Sequence, residues 1–294
     1  MRVAVIGSTG QLGTEVIAAL QASSEYTAVS LAHAEVDCTR LDSVQTALRL
    51  ARPDVVVNCA AFVQVDDSED RVEEALRVNA IGARNVAQTC AELGALCAYV
   101  STDFVFDGEK GVPYDERDCP RPINAYGASK LLGEHFVRQV APQWLIVRTA
   151  SLFGRAGSRG KGGNFIETVL ARARDGLPLR VASDIWMSPT YARDLAGALV
   201  ALLGKRATGT VHLTNDGVCT WYEFAAAILS ISGLRADLSA ITAGEYSFKA
   251  LRPRNSALVS VHISPLLGSR LRPWPDAVGA YLREREAAKS GSGH

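Results

Sequence analysis

Val3-Ala-Val-Ile-Gly-Ser-Thr-Gly-Gln-Leu-Gly13 stands at the head of the chain and decides its fold. Four apolar residues in a row suit a strand buried on both faces of a sheet. Glycines at 7, 10 and 13 follow, and Thr14 starts a helical pattern that puts Val16, Ile17 and Leu20 on one face. Without a Cβ, glycine lets main-chain amides approach a pyrophosphate, and the helix N-terminus adds partial positive charge. The spacing is G-x-x-G-x-x-G rather than G-x-G-x-x-G, and a plain glycine-rich turn reads the same in isolation. Its place between strand and helix favours a nucleotide on Gly7, Gly10 and Gly13.

Outward from this unit, strands and helices alternate. Strands are expected at Thr27 to Leu31, Asp54 to Ala61, Ala98 to Ser101, Leu145 to Arg148 and Val211 to Thr214. Between them lie a helix through Val44, Leu48 and Leu50, a long helix starting at the acidic Asp66–Asp70, and helices at Tyr126–Val140 and Arg193–Leu203. This order argues an α/β fold, a Rossmann-type doubly wound parallel sheet. The texture changes after Arg148. A Gly/Lys-rich loop at Ala156–Gly163 leads to helices at Asn164–Arg174, Trp221–Ser232 and Asp276–Arg285. The expected division is a dinucleotide-binding domain of residues 1–150 with about 190–216. Residues 151–189 and 217–288 would form a smaller, mainly helical substrate-binding lobe. Residues 289–294 read as a tag remnant.

The 294 residues are 48% apolar and 21% charged, with zero formal net charge. No basic excess points to nucleic acid or an anionic membrane surface, and no apolar run is long enough to span a bilayer. The six cysteines form no C-x-x-C pair and read as reduced thiols of a cytoplasmic protein. The oligomeric state stays open, a homodimer included.

Chemistry concentrates between Ser101 and Lys130. The apolar run Ala98-Tyr-Val100 delivers Ser101 and Thr102 to a strand end. Tyr126 and Lys130 stand four apart at the start of a helix, so they share one face. An ammonium stabilises the phenolate beside it, so Tyr126 is expected to act as a proton donor with its pKa drawn towards neutrality. Asp37 would receive an adenine amino group or cap the following helix. About twenty residues past the glycines, Leu31-Ala-His33 carries neither an acid for the NAD ribose nor an arginine for a 2′-phosphate. The missing acid favours NADPH over NADH. Asn79, polar within an apolar helix stretch, is either solvated or holds a backbone group.

Together these residues resemble the extended short-chain dehydrogenase/reductase superfamily, and within it the dTDP-4-dehydrorhamnose reductase family. The matches run through Gly10-Gln-Leu-Gly13, Val55 to Ala61, Ser101-Thr-Asp-Phe-Val-Phe-Asp-Gly108, Tyr126 to Glu134, Gly163-Asn-Phe165, Pro189-Thr190 and Arg252-Pro-Arg-Asn-Ser256. The resemblance implies hydride transfer from a nicotinamide to the C4 carbonyl of a nucleotide-linked 6-deoxy-4-keto-hexose. Tyr126 would be the acid, Lys130 its partner and a ribose ligand, and Thr102 a hydrogen-bond donor to the alkoxide. Gly10, Gln11 and Leu12 would hold the pyrophosphate, and Asp37 and Cys38 the adenine side. Ala60, Ala61, Phe62, Val63, Asn79 and Val100 would line the rest of the cofactor. Asp103, Ser151, Asn164, Arg252 and Asn255 would meet the nucleotide sugar.

Three departures follow. Ser151 replaces a tryptophan that many members place against the sugar. The Ala156–Gly163 loop is long enough for a lid. Glu15 matches one glutamate of a Mg²⁺ site found in some members, but Arg193 replaces another, so no metal is expected. Another nucleotide-sugar 4-ketoreductase is the nearest alternative. A 4,6-dehydratase would need a glutamate where Phe104 stands. An NADP-binding regulatory subunit, like that of methionine adenosyltransferase, is the alternative of a different class.

Overall fold

The computed structural model describes residues 1–156 and 163–290. Six strands form one parallel sheet: β1 (Arg2–Ile6), β2 (Thr27–Leu31), β3 (Val55–Asn58), β4 (Leu96–Thr102), β5 (Trp144–Thr149) and β6 (Gly209–His212). Their spatial order is β6-β5-β4-β3-β1-β2. The chain leaves β1 towards β2 and returns on the other side at β3. The turns beyond β1 and β3 therefore meet where the winding reverses, the place at which open α/β sheets bind ligands.

Alternation along the strands fills both faces. Val55, Val57, Leu96, Ala98, Leu145 and Val147 cluster with Val16 and Leu20 of helix Gln11–Gln21 and with Leu195 and Leu199 of helix Ala192–Gly204. Val56, Cys97, Tyr99 and Ile146 cluster instead with Val44 and Leu48 of helix Leu41–Ala51, Val86 of helix Gly82–Leu93 and Val137 of helix Ala125–Val140. Each fully buried Val or Leu stabilises the fold by about 1.5–3 kcal/mol. Two such layers hold the strand ends of the site rigidly.

The later part of the chain has its own core, in which Phe153, Ile166, Leu170, Tyr191, Phe224 and Tyr281 pack together. It is less purely helical than its sequence suggests. Leu179–Ala182 pairs in parallel with Leu238–Ile241, and Trp186–Met187 pairs antiparallel with Cys219–Thr220. Strands of two or four residues are too short for alternation to register.

The long helix expected from Asp66 is broken. Asp67–Asp70 ends at Arg71, Val72–Leu76 restarts, and a π-helical turn at Arg77–Ile81 precedes Gly82–Leu93. Residues 157–162 of the lid-like loop, and 291–294 of the tag-like tail, lie outside the described residues. Among the described residues no helix is long and apolar enough to cross a membrane.

Candidate active site

β4 carries Ser101 and Thr102, both buried, in register with Arg148 and Thr149 of β5. Thr102 caps the short turn Asp103–Val105. Its hydroxyl oxygen accepts the Phe104 N–H at 3.2 Å, and its hydroxyl donates to Asp103 Oδ1 at 2.9 Å. Asn124 caps helix Ala125–Val140 by accepting the Gly127 N–H at 2.8 Å. The helix start lies hard against the preceding turn, because a Cβ on Gly127 would come within 2.0 Å of the Phe104 oxygen. The Tyr126 hydroxyl is thereby set close enough to the Thr102 side chain for that side chain to lower its pKa. The Phe104 ring stands edge-on to the Tyr126 ring, 5.9 Å between centroids.

One turn on, Lys130 is buried. Its Nζ donates to the Val100 carbonyl at 2.7 Å and lies 4.1 Å from the Tyr99 ring centroid. The expectation that Lys130 draws the Tyr126 pKa towards neutrality is corrected here. Burial pushes the phenol up to about 12, and the neighbouring Asp103 pushes the same way against the opposing effect of the Thr102 side chain. Burial also brings Lys130 down to about 7, with Glu134 opposing. An ammonium directed at a main-chain carbonyl and itself stripped of water has little charge to lend the phenol.

Glu134, one further turn along, anchors this helix to the sheet. It accepts from Ser101 at 2.6 Å, from Arg148 at 2.9 and 2.7 Å, and from Arg138 at 2.9 Å. These partners hold its carboxyl below the usual range against the effect of burial. Arg148 approaches His212 Nε2 at 3.4 Å, while His212 Nδ1 lies 3.1 Å from the carbonyls of Tyr114 and Val259. Two acceptors at Nδ1 place the proton there and leave Nε2 to accept from Arg148. None of this network was read from the sequence.

The glycine turn is built as a cradle. Gly7 has φ +75°, and a Cβ there would lie 2.9 Å from the Ala60 nitrogen. A Cβ on Gly13 would lie 2.2 Å from the Gly7 oxygen. The helix begins at Gln11 with Gly10 as N-cap. Ser8 Oγ and Gln11 Nε2 are buried at this turn without protein partners, and so is Thr149 Oγ1 at the end of β5. Buried donors left unpaired are costly unless a ligand meets them. These residues fit a dinucleotide.

Asp37 is not a helix cap. Its Oδ1 accepts from the main chain and hydroxyl of Thr39 at 3.0 and 2.7 Å, and the helix starts later, at Leu41. The Cys38 carbonyl accepts from Asn85 at 3.0 Å, and burial raises its thiol to about 11. Asn79 is fully buried and is corrected from a cofactor contact to a positioning residue. It accepts the Phe62 N–H at 2.8 Å and donates to the Phe62 carbonyl at 3.0 Å and to Ser129 at 2.9 Å. It thus fixes the loop Ala60-Ala-Phe-Val63 through that loop's backbone.

A cavity of about 980 Å³ is lined by Asp107, Val112, Ile123, Trp186, Arg252, Arg254 and Asn255 among others. Neither Tyr126 nor Thr102 belongs to its lining. The lining chain instead leaves the Thr102–Asp103 corner at Asp107 and returns at Ile123, just before Tyr126. Arg252 lines this cavity and also pairs with Asp66 at 3.0 Å beside the Phe248 ring, a partner the sequence did not show. Asn164 is corrected too. It is buried, caps helix Phe165–Arg174 through Glu167, and donates to the Gly154 carbonyl at 2.9 Å and to Tyr281 at 3.2 Å. Ser151, with φ +43°, directly follows β5 and Ala150 and accepts the Thr190 N–H at 3.2 Å.

At the other cluster of note, the Arg193 guanidinium pairs with Glu284 at 3.0 Å, and both lie close enough to Glu15 to act on its charge. A guanidinium set between those carboxylates does not fit a divalent cation.

A dinucleotide cradle at the switch point, with a phenol and a buried ammonium at the adjoining strand end, places this chain among the extended short-chain dehydrogenases/reductases. The family model described as RmlD substrate binding domain matches residues 1–287, and the chain belongs to that family. It is 39% identical to the spore coat polysaccharide biosynthesis protein SpsK of Bacillus subtilis, covering 98% of this chain and 99% of the relative. It is 35% identical to the dTDP-4-dehydrorhamnose reductase of Burkholderia thailandensis, covering 97% and 99%. The crystal structure of dTDP-4-dehydrorhamnose reductase from Bacillus anthracis in complex with NADP superposes with a TM-score of 0.90 at 33% identity, covering 96% and 99%.

Proposed function

We propose that this chain reduces the C4 keto group of a nucleotide-linked 6-deoxy-4-keto-hexose, with NADPH as reductant and dTDP-4-dehydro-L-rhamnose as substrate. The observation that carries the reading is the convergence of Tyr126 and Thr102 at the end of β4, one helical turn from the buried Lys130.

The cofactor would lie along Gly7, Gly10, Gln11 and Leu12, with Ala60 to Val63 beside its middle; when bound, it supplies the hydride for C4. Ser8 and Gln11 give its phosphates hydrogen bonds that the protein alone leaves unmade. Tyr126 then donates its phenolic proton to the C4 oxygen. A phenol raised to about 12 keeps that proton throughout the neutral range, so the acid form is always present. On turning away from Asp103, the Thr102 hydroxyl would donate a hydrogen bond to the same oxygen and stabilise the developing alkoxide. As the phenolate forms nearby, Lys130 takes up a proton from solvent, since an adjacent anion raises again the pKa that burial lowers. Asp103 meets the sugar hydroxyls, and solvent returns the proton to Tyr126.

The test mixes the protein with NADPH and dTDP-4-dehydro-L-rhamnose prepared in situ from dTDP-glucose. Loss of reduced-nicotinamide absorbance, with dTDP-L-rhamnose identified by chromatography, supports the reading. Absence of oxidation with that sugar and with other dTDP-4-keto-6-deoxy sugars, in protein that binds NADPH, would sink it and favour a regulatory role.

A further inference from the structure

We propose that Tyr99 positions Lys130 and favours its charged form: the ring supplies the electron-rich face on which the ammonium rests, and the main chain of Asn79 keeps that face in place. This inference rests on the reading of Lys130 as the cationic partner of the cofactor.

Tyr99 and Lys130 are 1% and 2% exposed, so their contact is almost closed to water. Lys130 Nζ lies 4.1 Å from the centroid of the Tyr99 ring while it donates to the Val100 carbonyl at 2.7 Å. Within about 6 Å an aromatic face attracts a cation, and the attraction grows when water is excluded. The far end of the ring is anchored. The Tyr99 hydroxyl donates to the Asn79 carbonyl at 2.8 Å, inside the π-helical turn Arg77–Ile81. Such turns recur at functional sites. Gly133, three residues beyond Lys130 on the same helix, lies directly on this bond. A Cβ there would come within 2.4 Å of both the Asn79 oxygen and the Tyr99 hydroxyl oxygen. The helix thus covers the ring from Lys130 at one end to Gly133 at the other.

The other titratable groups around the ammonium leave this role to the ring. Glu134 and Tyr126 lie on its own helix, Cys38 follows β2 and Cys59 follows β3. Glu134 attracts Lys130 from one turn away, but its oxygens are bonded to Ser101, Arg148 and Arg138. Burial raises the Cys38 thiol to about 11 and those of Cys59 and Tyr126 to about 12, so all three are neutral near pH 7. Burial likewise lifts Tyr99 well above its ordinary value, and its ring stays that of a neutral phenol. Lys130 itself is brought down to about 7, where a modest change in the attraction of the ring alters the fraction charged.

The titration of Lys130 can be followed in the free protein by NMR of isotope-labelled lysine ε-carbons, its signal being the one that Lys130→Met removes. Pentafluorophenylalanine in place of Tyr99 keeps the shape of a ring without its negative face, and should lower the midpoint by about one pH unit relative to Tyr99→Phe. Tyr99→Leu, which removes the ring, should follow the fluorinated protein, whereas Tyr99→Phe should titrate as wild type does. NADPH affinity in the fluorinated and Tyr99→Leu proteins should be about 10-fold weaker than wild type at pH 8. At about pH 5.5, where Lys130 is largely charged in every protein, it should lie near the wild-type value, which also reports on folding. Coincident midpoints in Tyr99→Phe, Tyr99→Leu and the fluorinated protein would overturn the inference. Shifted midpoints with unchanged NADPH affinity at pH 8 would instead overturn the role of Lys130 towards the cofactor and leave that of the ring standing.

Discussion

Lys130 Nζ donates to the Val100 carbonyl oxygen at 2.7 Å, so the ammonium is fastened to the end of β4 rather than to the phenol one turn away. It has no carboxylate partner among the ion pairs of the described residues. Its basicity in the free protein is set by burial, which lowers it to about 7.

A stability prediction follows with a definite sign. An unfolded lysine titrates near 10.4. Between about pH 7 and pH 10 the unfolded chain therefore carries a proton that the folded protein lacks, and stability rises with pH across that window. Below pH 7 the folded protein must hold the buried charge. Lys130→Met should stabilise the fold at pH 7 by about 1–4 kcal/mol and remove this slope. Chemical denaturation of both proteins at several pH values checks it; a variant less stable than wild type at pH 7 contradicts it.

Cofactor binding should take up protons. At pH 8 Lys130 is mostly neutral in the free protein, and the anionic phosphates of NADPH favour its charged form. Calorimetry at pH 8 in buffers of different ionisation enthalpy should show uptake that Lys130→Ala abolishes. Buffer-independent binding enthalpy in the wild-type protein would count against this coupling.

Asn79 holds Phe62 by both of its main-chain groups. Asn79→Ala leaves them buried and unmade, at a cost of about 1–3 kcal/mol, and frees the loop beside the cofactor. NADPH affinity and thermal stability should fall together. A loss of stability with unchanged NADPH affinity would limit Asn79 to a packing role.

Glu134 is the common acceptor for Ser101, Arg148 and Arg138. Glu134→Ala strands the guanidinium of Arg148 in the core, and the expected loss is about 3–5 kcal/mol. Glu134→Gln keeps the acceptor oxygen and should recover part of it. Equal denaturation midpoints for wild type and Glu134→Ala would refute the buried pairing.

What the sequence made legible were local patterns: the glycine turn after Val3–Ile6, the strand that ends at Ser101 and Thr102, and Tyr126 and Lys130 on one helical face. Each is fixed by spacing within a few residues. What stayed hidden depends on distant partners. Arg252 looks like a free cation until the fold brings Asp66 to it from 186 residues away. Asn164 looks like a ligand until Tyr281 and Gly154 close around it. Trp186 sits in a stretch without periodicity, and only its pairing with Thr220 and Asn255 shows that it is a fixed wall. The phenol pKa was misjudged because residue spacing reports proximity along the helix, whereas the direction of Lys130 Nζ is set by the sheet.

The most direct test of the account is single-turnover reduction of the 4-keto sugar by Tyr126→Phe compared with wild type, at saturating NADPH. Removal of the proton donor should slow the chemical step by about 10²-fold or more, with NADPH affinity essentially unchanged. A variant that reduces the sugar at the wild-type rate would show that Tyr126 is not the acid and would overturn the mechanism.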